Sequence, residues 1–231
     1  MLLMVAACTD SESSTVLIET DPTYLMMINV WTPHTGGSFT ELSDAVRRGL
    51  ENDMRSVDGF LGAAVLEAQD GSNVVVYGQW RDSTAVDAAG AKVAAGEAPD
   101  FAAALSLATT EAHPYRVDSL VGEIVIDTAA DELTMINTWT PRDGVSVDEV
   151  ATALSEGIRV DTSAQPGFRA AGVLASLDGS NVRAYGHWDD AAALEAYGSV
   201  IEAGAAATFA QVFALATSDA RPYSVVAVIT P

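Results

Sequence analysis

Basic residues are the scarcest feature of this 231-residue chain: 11 Lys and Arg stand against 32 Asp and Glu, for a net charge of −21. A polyanion of that size repels nucleic acid and anionic membrane surfaces, so neither is expected as a partner. Lys92 is the only lysine, which argues against Schiff-base chemistry. Cys8 is the only cysteine and excludes an internal disulfide, and three scattered His residues offer no dense set of metal ligands. Leu2 to Cys8 loosely resembles the end of a lipoprotein signal but lacks a basic n-region and a full apolar stretch, so residues 1–13 are read as a disordered tail. No other segment approaches the roughly 20 apolar residues of a membrane span, and the expected location is cytoplasmic. With 49% hydrophobic and 19% charged residues, the composition is that of a globular protein.

The chain instead says nearly the same thing twice, at a constant offset of 108 residues. Met27-Ile28-Asn29-Val30-Trp31-Thr32-Pro33 returns as Met135-Ile136-Asn137-Thr138-Trp139-Thr140-Pro141, and Asp70-Gly71-Ser72-Asn73-Val74 returns as Asp178-Gly179-Ser180-Asn181-Val182. Tyr77-Gly78, Trp80, Phe101 and Pro114-Tyr115 recur as Tyr185-Gly186, Trp188, Phe209 and Pro222-Tyr223. The period is too long for a solenoid, so each unit is a small domain, with boundaries expected at 14–122 and 123–231.

Within one unit, Leu25 to Thr32 is rich in β-formers and ends at Pro33, which reads as a strand. Ser38 with Glu41 has the form of a capping box, and Phe39, Leu42, Val46 and Leu50 fall on one helix face; Ser146, Glu149, Val147, Val150, Leu154 and Ile158 answer in the second unit. Gly59-Phe60 begins a second strand, Asp70-Gly71-Ser72 a turn, and Asn73 to Trp80 a third strand. A helical region over Ser83 to Leu107 and a fourth strand from Pro114-Tyr115 toward Leu120 complete β-α-β-β-α-β, the ferredoxin-like order. The expected fold is α+β: two such domains packed sheet to sheet as an intrachain dimer. Val16-Leu17-Ile18 and Ile124-Val125-Ile126 extend the repeat backward, each as a short extra strand.

A Gly-Phe opening the second strand, an Asp-Gly turn, and a third strand ending Tyr-Gly-Gln-Trp or Tyr-Gly-His-Trp resemble the antibiotic biosynthesis monooxygenase family of dimeric α+β barrels. The resemblance covers nearly all of both repeats. It implies an oxygenase tailoring an aromatic polyketide, through oxidation of a phenol, anthrone or quinone or through ring opening or rearrangement. In the cofactor-independent members that oxidise anthrones, it implies that the Trp closing the third strand and an Asn four residues earlier line the pocket. Trp80 and Trp188 match; Val76 and Ala184 stand where the Asn would be. Triplet oxygen reacts poorly with closed-shell molecules, so without a metal the enzyme must hold an electron-rich phenolate or enolate, or use reduced flavin. No flavin motif is present, so no cofactor is expected to bind tightly and any FADH2 or FMNH2 would be a diffusible cosubstrate alongside O2.

Strand alternation puts Val74, Val76, Gly78 and Trp80 on one face and Asn73, Val75, Tyr77 and Gln79 on the other, so Trp188 and His187 cannot share a wall. Asn29 shares a face with Trp31, and Asn137 with Trp139, offering N–H groups beside an aromatic wall that could replace the missing Asn. The candidate catalytic residues are thus Asn29, Trp80, Asn137, Trp188 and His187, with Trp31, Trp139, Val76, Ala184 and Tyr197 against a polycyclic aromatic ligand. Each has a structural alternative: the Trp residues as core, the Asn residues as glue across the barrel, His187 as a satisfied interface histidine. Tyr197 faces Ala89 in the copy and Arg183 faces Val75, so the pockets are not expected to be equal. His34 and His113 fall near turns and are read as solvated. A homodimer of the fused pair is a further expectation. The rival functions are a non-catalytic small-molecule-binding or stress-associated barrel, and haem degradation, which would need a His absent from 82–107 and 190–216.

Overall fold

The computed structural model describes residues 15–19, 23–128 and 132–231, so the expectation for residues 1–13 lies outside the described residues. The first repeat contains β1 (Val16–Ile18), β2 (Leu25–Pro33), α1 (Phe39–Gly49), β3 (Phe60–Ala68), β4 (Val74–Trp80), α2 (Ser83–Ala94), α3 (Pro99–Leu105) and β5 (Ala108–Val121). The second answers with β6 (Ile124–Ile126), β7 (Leu133–Pro141), α4 (Val147–Gly157), β8 (Phe168–Ser176), β9 (Val182–Trp188), α5 (Ala191–Glu202), α6 (Ala207–Ala210), α7 (Val212–Leu215) and β10 (Ala216–Ile229). Ser38 accepts from the Glu41 amide to start α1, and at α4 the box is complete, with Glu149 reaching back to the Ser146 amide at 2.8 Å. Both helices end in a π-helical turn, Leu50–Met54 and Ile158–Thr162.

Eight strands close into an antiparallel barrel in the order β10-β3-β4-β2-β5-β8-β9-β7. Four consecutive strands in this order come from each repeat, and the closure depends on the two longest. The Ala108–Tyr115 part of β5 pairs with β2 of its own repeat, and Tyr115–Val121 pairs with β8 of the other. β10 does the same with β7 and then β3. This corrects the expected start of the fourth strand. Pro114 does not open it; it sits in mid-strand, where pairing with the second repeat begins, so the missing N–H leaves no gap in the ladder. The expected helical region over 83–107 consists of two helices, because Pro99 starts a separate α3 after Gly96 turns the chain at φ +74.

Alternation sends Ile28, Leu66, Val75, Tyr77, Ile136, Leu174 and Tyr185 into the barrel, which they fill down to a void of about 10 Å³. The β1–β6 ribbon adds Val16, Ile18, Ile124 and Ile126 to the same core. The other sheet face packs beneath the helices, so each repeat has its own sheet–helix core. A cavity of about 350 Å³ with a charged and polar lining, Glu132, Thr134, His187 and Tyr223 among it, lies off the helix side, and the apolar cavities lie between sheet and helices.

Two repeated motifs hold the halves together. The Tyr115 hydroxyl donates to Asn181 Oδ1 at 2.6 Å and the Tyr223 hydroxyl to Asn73 Oδ1 at 2.9 Å. His113 Nδ1 lies 2.6 Å from Asp178 Oδ2, and Arg221, its counterpart, reaches Asp70 at 2.6 Å. His113 is thus a half-buried strand residue clamping the opposite turn and not a solvated turn residue. Ser180 Oγ approaches the same Nδ1, at 3.3 Å. Serine and aspartate on one nitrogen is not a triad arrangement, and Arg221 fills the same role with no imidazole.

Candidate active site

The helix-side floor of each repeat is laid by the strand bearing Asn-x-Trp and the strand ending in Trp. Register sets Asn29 opposite Val76 and Ala112, and Asn137 opposite Ala184 and Ala220. The amide therefore lies across the ladder from the position where the family resemblance would place an Asn. Trp80 and Trp188 fold back over the glycine two residues upstream: a Cβ at Gly78 would lie 3.2 Å from Trp80 Nε1, and one at Gly186 3.5 Å from Trp188 Nε1. This is the local reason for Tyr-Gly-x-Trp. Phe60 and Phe168 meet these indoles edge-on, with centroids 5.3 and 5.6 Å apart.

The roof comes from the helices. Asp53 Oδ2 and Asp161 Oδ2, carried on the π-helical turns, each accept at 2.8 Å from the backbone N–H of Phe101 and Phe209. Gly49 and Gly157 let these helices close: a Cβ there would lie 2.7 Å from the Cα of Phe101 or Phe209. The result is one cavity per repeat. The first, about 200 Å³, has Asn29, Val76, Trp80, Met54, Ala89 and Phe101 among its walls. The second, about 300 Å³, has Asn137, Ala184, Trp188, Thr162, Tyr197, Phe209 and Phe213 among its own. No lining residue of either carries a charge.

The structure thus brings together Asn29, Val76 and Trp80 in one cavity and Asn137, Ala184, Trp188 and Tyr197 in the other. It separates three further candidates from them. Trp31 and Trp139 are 1% and 0% exposed and stand outside the lining, two residues along the strand, covered by Phe101 at 5.3 Å and by Phe209 and Phe213 at 5.9 and 5.1 Å. They back the walls and line neither cavity. His187 points to the opposite sheet face and does not line the second cavity. Its Nδ1 lies 3.0 Å from Glu132 Oε2 and its Nε2 3.4 Å from the Tyr185 hydroxyl, which the neutral Nδ1–H tautomer satisfies on both sides. Burial holds its pKa below the ordinary histidine value, against the opposing pull of Glu132 and Asp127. It is a buried, hydrogen-bonded histidine, the counterpart of Gln79, which bonds the Leu17 carbonyl at 2.6 Å.

Asn29 Oδ1, Asn137 Oδ1, Trp31 Nε1 and Trp139 Nε1 are buried without any hydrogen-bond partner. Buried polar groups are normally satisfied, and these four atoms are the exceptions among the described residues. Sequence reasoning missed Thr162, Phe209 and Phe213. Phe209 carried a usable signal in its recurrence with Phe101. Thr162 replaces Met54 and gained meaning only once Tyr197 was beside it.

The two cavities differ most there. The Tyr197 ring stacks on Trp188, with centroids 5.4 Å apart and planes inclined 24°, and its hydroxyl is 2.6 Å from Thr162 Oγ1. Burial raises the Tyr197 pKa to about 12, against the lowering effect of the Thr162 bond. The phenol therefore stays protonated through the neutral range.

The sequence profile of the antibiotic biosynthesis monooxygenase family matches residues 24–105 and 133–207, one copy in each repeat. The chain belongs to the antibiotic biosynthesis monooxygenase family. Its fold matches a solved structure described as an anthrone oxidase-like protein, with a TM-score of 0.76 at 22% identity, covering 93% of this chain and 96% of that one. A monooxygenase candidate from Fusobacterium nucleatum matches with a TM-score of 0.60 at 12% identity, over 90% and 94% of the two chains. One from Lactobacillus acidophilus gives 0.55 at 11%, over 90% and 97%. No protein of curated function matches the sequence. At these identities the structural matches speak for the fold. Among the described residues no single helix is long and apolar enough to cross a membrane.

Proposed function

We propose that this family member is an oxygenase tailoring a polycyclic aromatic polyketide of the phenol, anthrone or quinone type, with the second-repeat cavity as its active site. The observation that carries the reading is the uncharged aromatic cavity with the Asn137 side chain among its lining residues. Aromatic walls suit a flat ring system, and a side-chain amide among them suits a ligand oxygen or hydroxyl. The relative described as anthrone oxidase-like supports the reading at the level of fold.

The chemistry is that of a substrate able to reduce oxygen itself. An anthrone anion passes electrons to O2, the ring carbon forms a bond to oxygen, and loss of water leaves a carbonyl. In sum the methylene and O2 give the ketone and H2O, with no external reductant. No lining residue can serve as a base at neutral pH, so the substrate proton leaves to solvent. Trp188 and Phe209 wall the ring, Asn137 meets its oxygen, and Ala184 leaves room that Val76 occupies in the first repeat. A cavity with no charged lining residue offers nothing to a flavin phosphate, so reduced flavin, where used, arrives as a diffusible cosubstrate.

A non-catalytic binding barrel is the second reading, favoured by Val76 and Ala184 in place of the Asn of the anthrone-oxidising members. Oxygen consumption with 1,8-dihydroxyanthrone, with and without enzymatically reduced FMN, separates the two. Uptake without flavin is the expected outcome. Uptake only with flavin moves the chain to a flavin-assisted route, and saturable binding without uptake establishes the binding protein instead.

A further inference from the structure

Resting on that reading, we infer that the Thr162–Tyr197 hydroxyl pair makes the second cavity, and not the first, selective for an aromatic ligand that presents an acceptor oxygen to the pair. The inference comes from a count of hydrogens. Two hydroxyls carry two hydrogens, and the single 2.6 Å bond between Thr162 Oγ1 and the Tyr197 oxygen uses one, whichever group donates. The other hydrogen has no acceptor among the described residues, and both side chains line the cavity. Tyr197 and Thr162 are each 5% exposed, so the remaining hydrogen is met by whatever occupies the cavity, water or ligand.

Across the ladder floor the reverse deficit exists at Asn137, whose buried Oδ1 lacks a donor. The cavity therefore holds an unspent hydroxyl donor at the pair and the Asn137 amide across from it, the complement of a ring carrying both a carbonyl and a hydroxyl. The ring of Tyr197 is fixed by its stack on Trp188, so the pair is positioned before a ligand arrives. The first repeat keeps the floor acceptor, Asn29 Oδ1, but has Met54 and Ala89 where the pair would be. It offers no donor there, and the face of Trp80 is left to the ligand. One chain thus carries two cavities of different preference, and Thr162 and Tyr197 are the residues that set the difference.

The test is titration calorimetry with 2-hydroxyanthraquinone and 2-hydroxyanthracene, which share the ring frame and hydroxyl and differ in the carbonyls. The wild-type protein is expected to show one site preferring the quinone by about tenfold, the usual scale of one hydrogen bond. Thr162→Val with Tyr197→Phe keeps shape and stack, and is expected to bind both ligands alike. Thr162→Ala with Tyr197→Phe, which also removes both hydroxyls, serves as the second variant if the first is unstable. Equal affinities in the wild type, or an undiminished preference in the variants, would overturn the inference while leaving the aromatic cavity intact. Binding of neither ligand would overturn the cavity reading and this inference with it. Oxygen uptake plays no part in the readout, so failure of catalysis is registered separately.

Discussion

Asn137 illustrates how a single residue can separate a functional role from a structural one. A buried carbonyl oxygen without a partner costs about 1–3 kcal/mol, so Asn137→Val is expected to leave the melting temperature unchanged or raise it, corresponding to about 1 kcal/mol, while oxygen uptake falls at least tenfold. A glue residue would behave oppositely, losing stability on substitution. The pH dependence belongs to the same scale. Tyr197 stays protonated to about pH 12, so kcat/KM is expected to follow the ionisation of the substrate, shifting between two anthrones of different acidity. His187 governs stability instead. Its folded pKa lies below the unfolded value of about 6.5, so on acidification the unfolded chain takes the proton first and stability falls as pH drops through that range. His187→Gln, the residue of the first repeat, is expected to flatten the difference in urea midpoint between pH 7.5 and 5.5. At this scale the sequence was partly legible. The register that sets Asn29 beside Val76 and Asn137 beside Ala184 came only with the structure, while alternation kept His187 off the wall that holds Trp188. It could not say how far along the strand the cavity runs, which α2 and α5 decide, and so it over-counted Trp31 and Trp139.

At the scale of the element, the cavity roof depends on close approach. Gly157 meets the backbone of Phe209, which cannot move aside as a flexible side-chain tip could. Gly157→Ala is therefore expected to destabilise the protein by about 1–3 kcal/mol in chemical unfolding and to weaken ligand binding in the second cavity by displacing Phe209. Asp161 fixes the same phenylalanine through its backbone amide. Helix starts at Ser38 and Ser146 and the turns at Asp70 and Asp178 were readable because local chemistry determines them. The long strands β5 and β10 were not. Their middle prolines read as strand openings, and only the partner repeat shows why a proline is tolerated there. The π-helical turns likewise leave no periodic trace in the sequence, since five residues do not outweigh the pattern of the helix before them.

At the scale of the whole molecule, the duplication is a device for closing a barrel. Each repeat lends the second half of its last strand to the other, and the Asp-Gly-Ser-Asn turns and Pro-Tyr pairs that recur most visibly are clamps between the halves. The first repeat alone would expose an unpaired β3 edge and half of β5, and exposed strand edges seek partners. Residues 14–122 expressed alone are expected to elute as a dimer or aggregate. Freed of the need for two identical chains, the two cavities have diverged, and under the proposed function the second one performs the oxidation. The most direct measurement is the initial rate of oxygen uptake with 1,8-dihydroxyanthrone for the wild type beside Trp80→Ala and Trp188→Ala, each checked for an intact fold by circular dichroism. Uptake retained in Trp80→Ala and lowered at least tenfold in Trp188→Ala is the expected result; equal rates in all three proteins would contradict the claim.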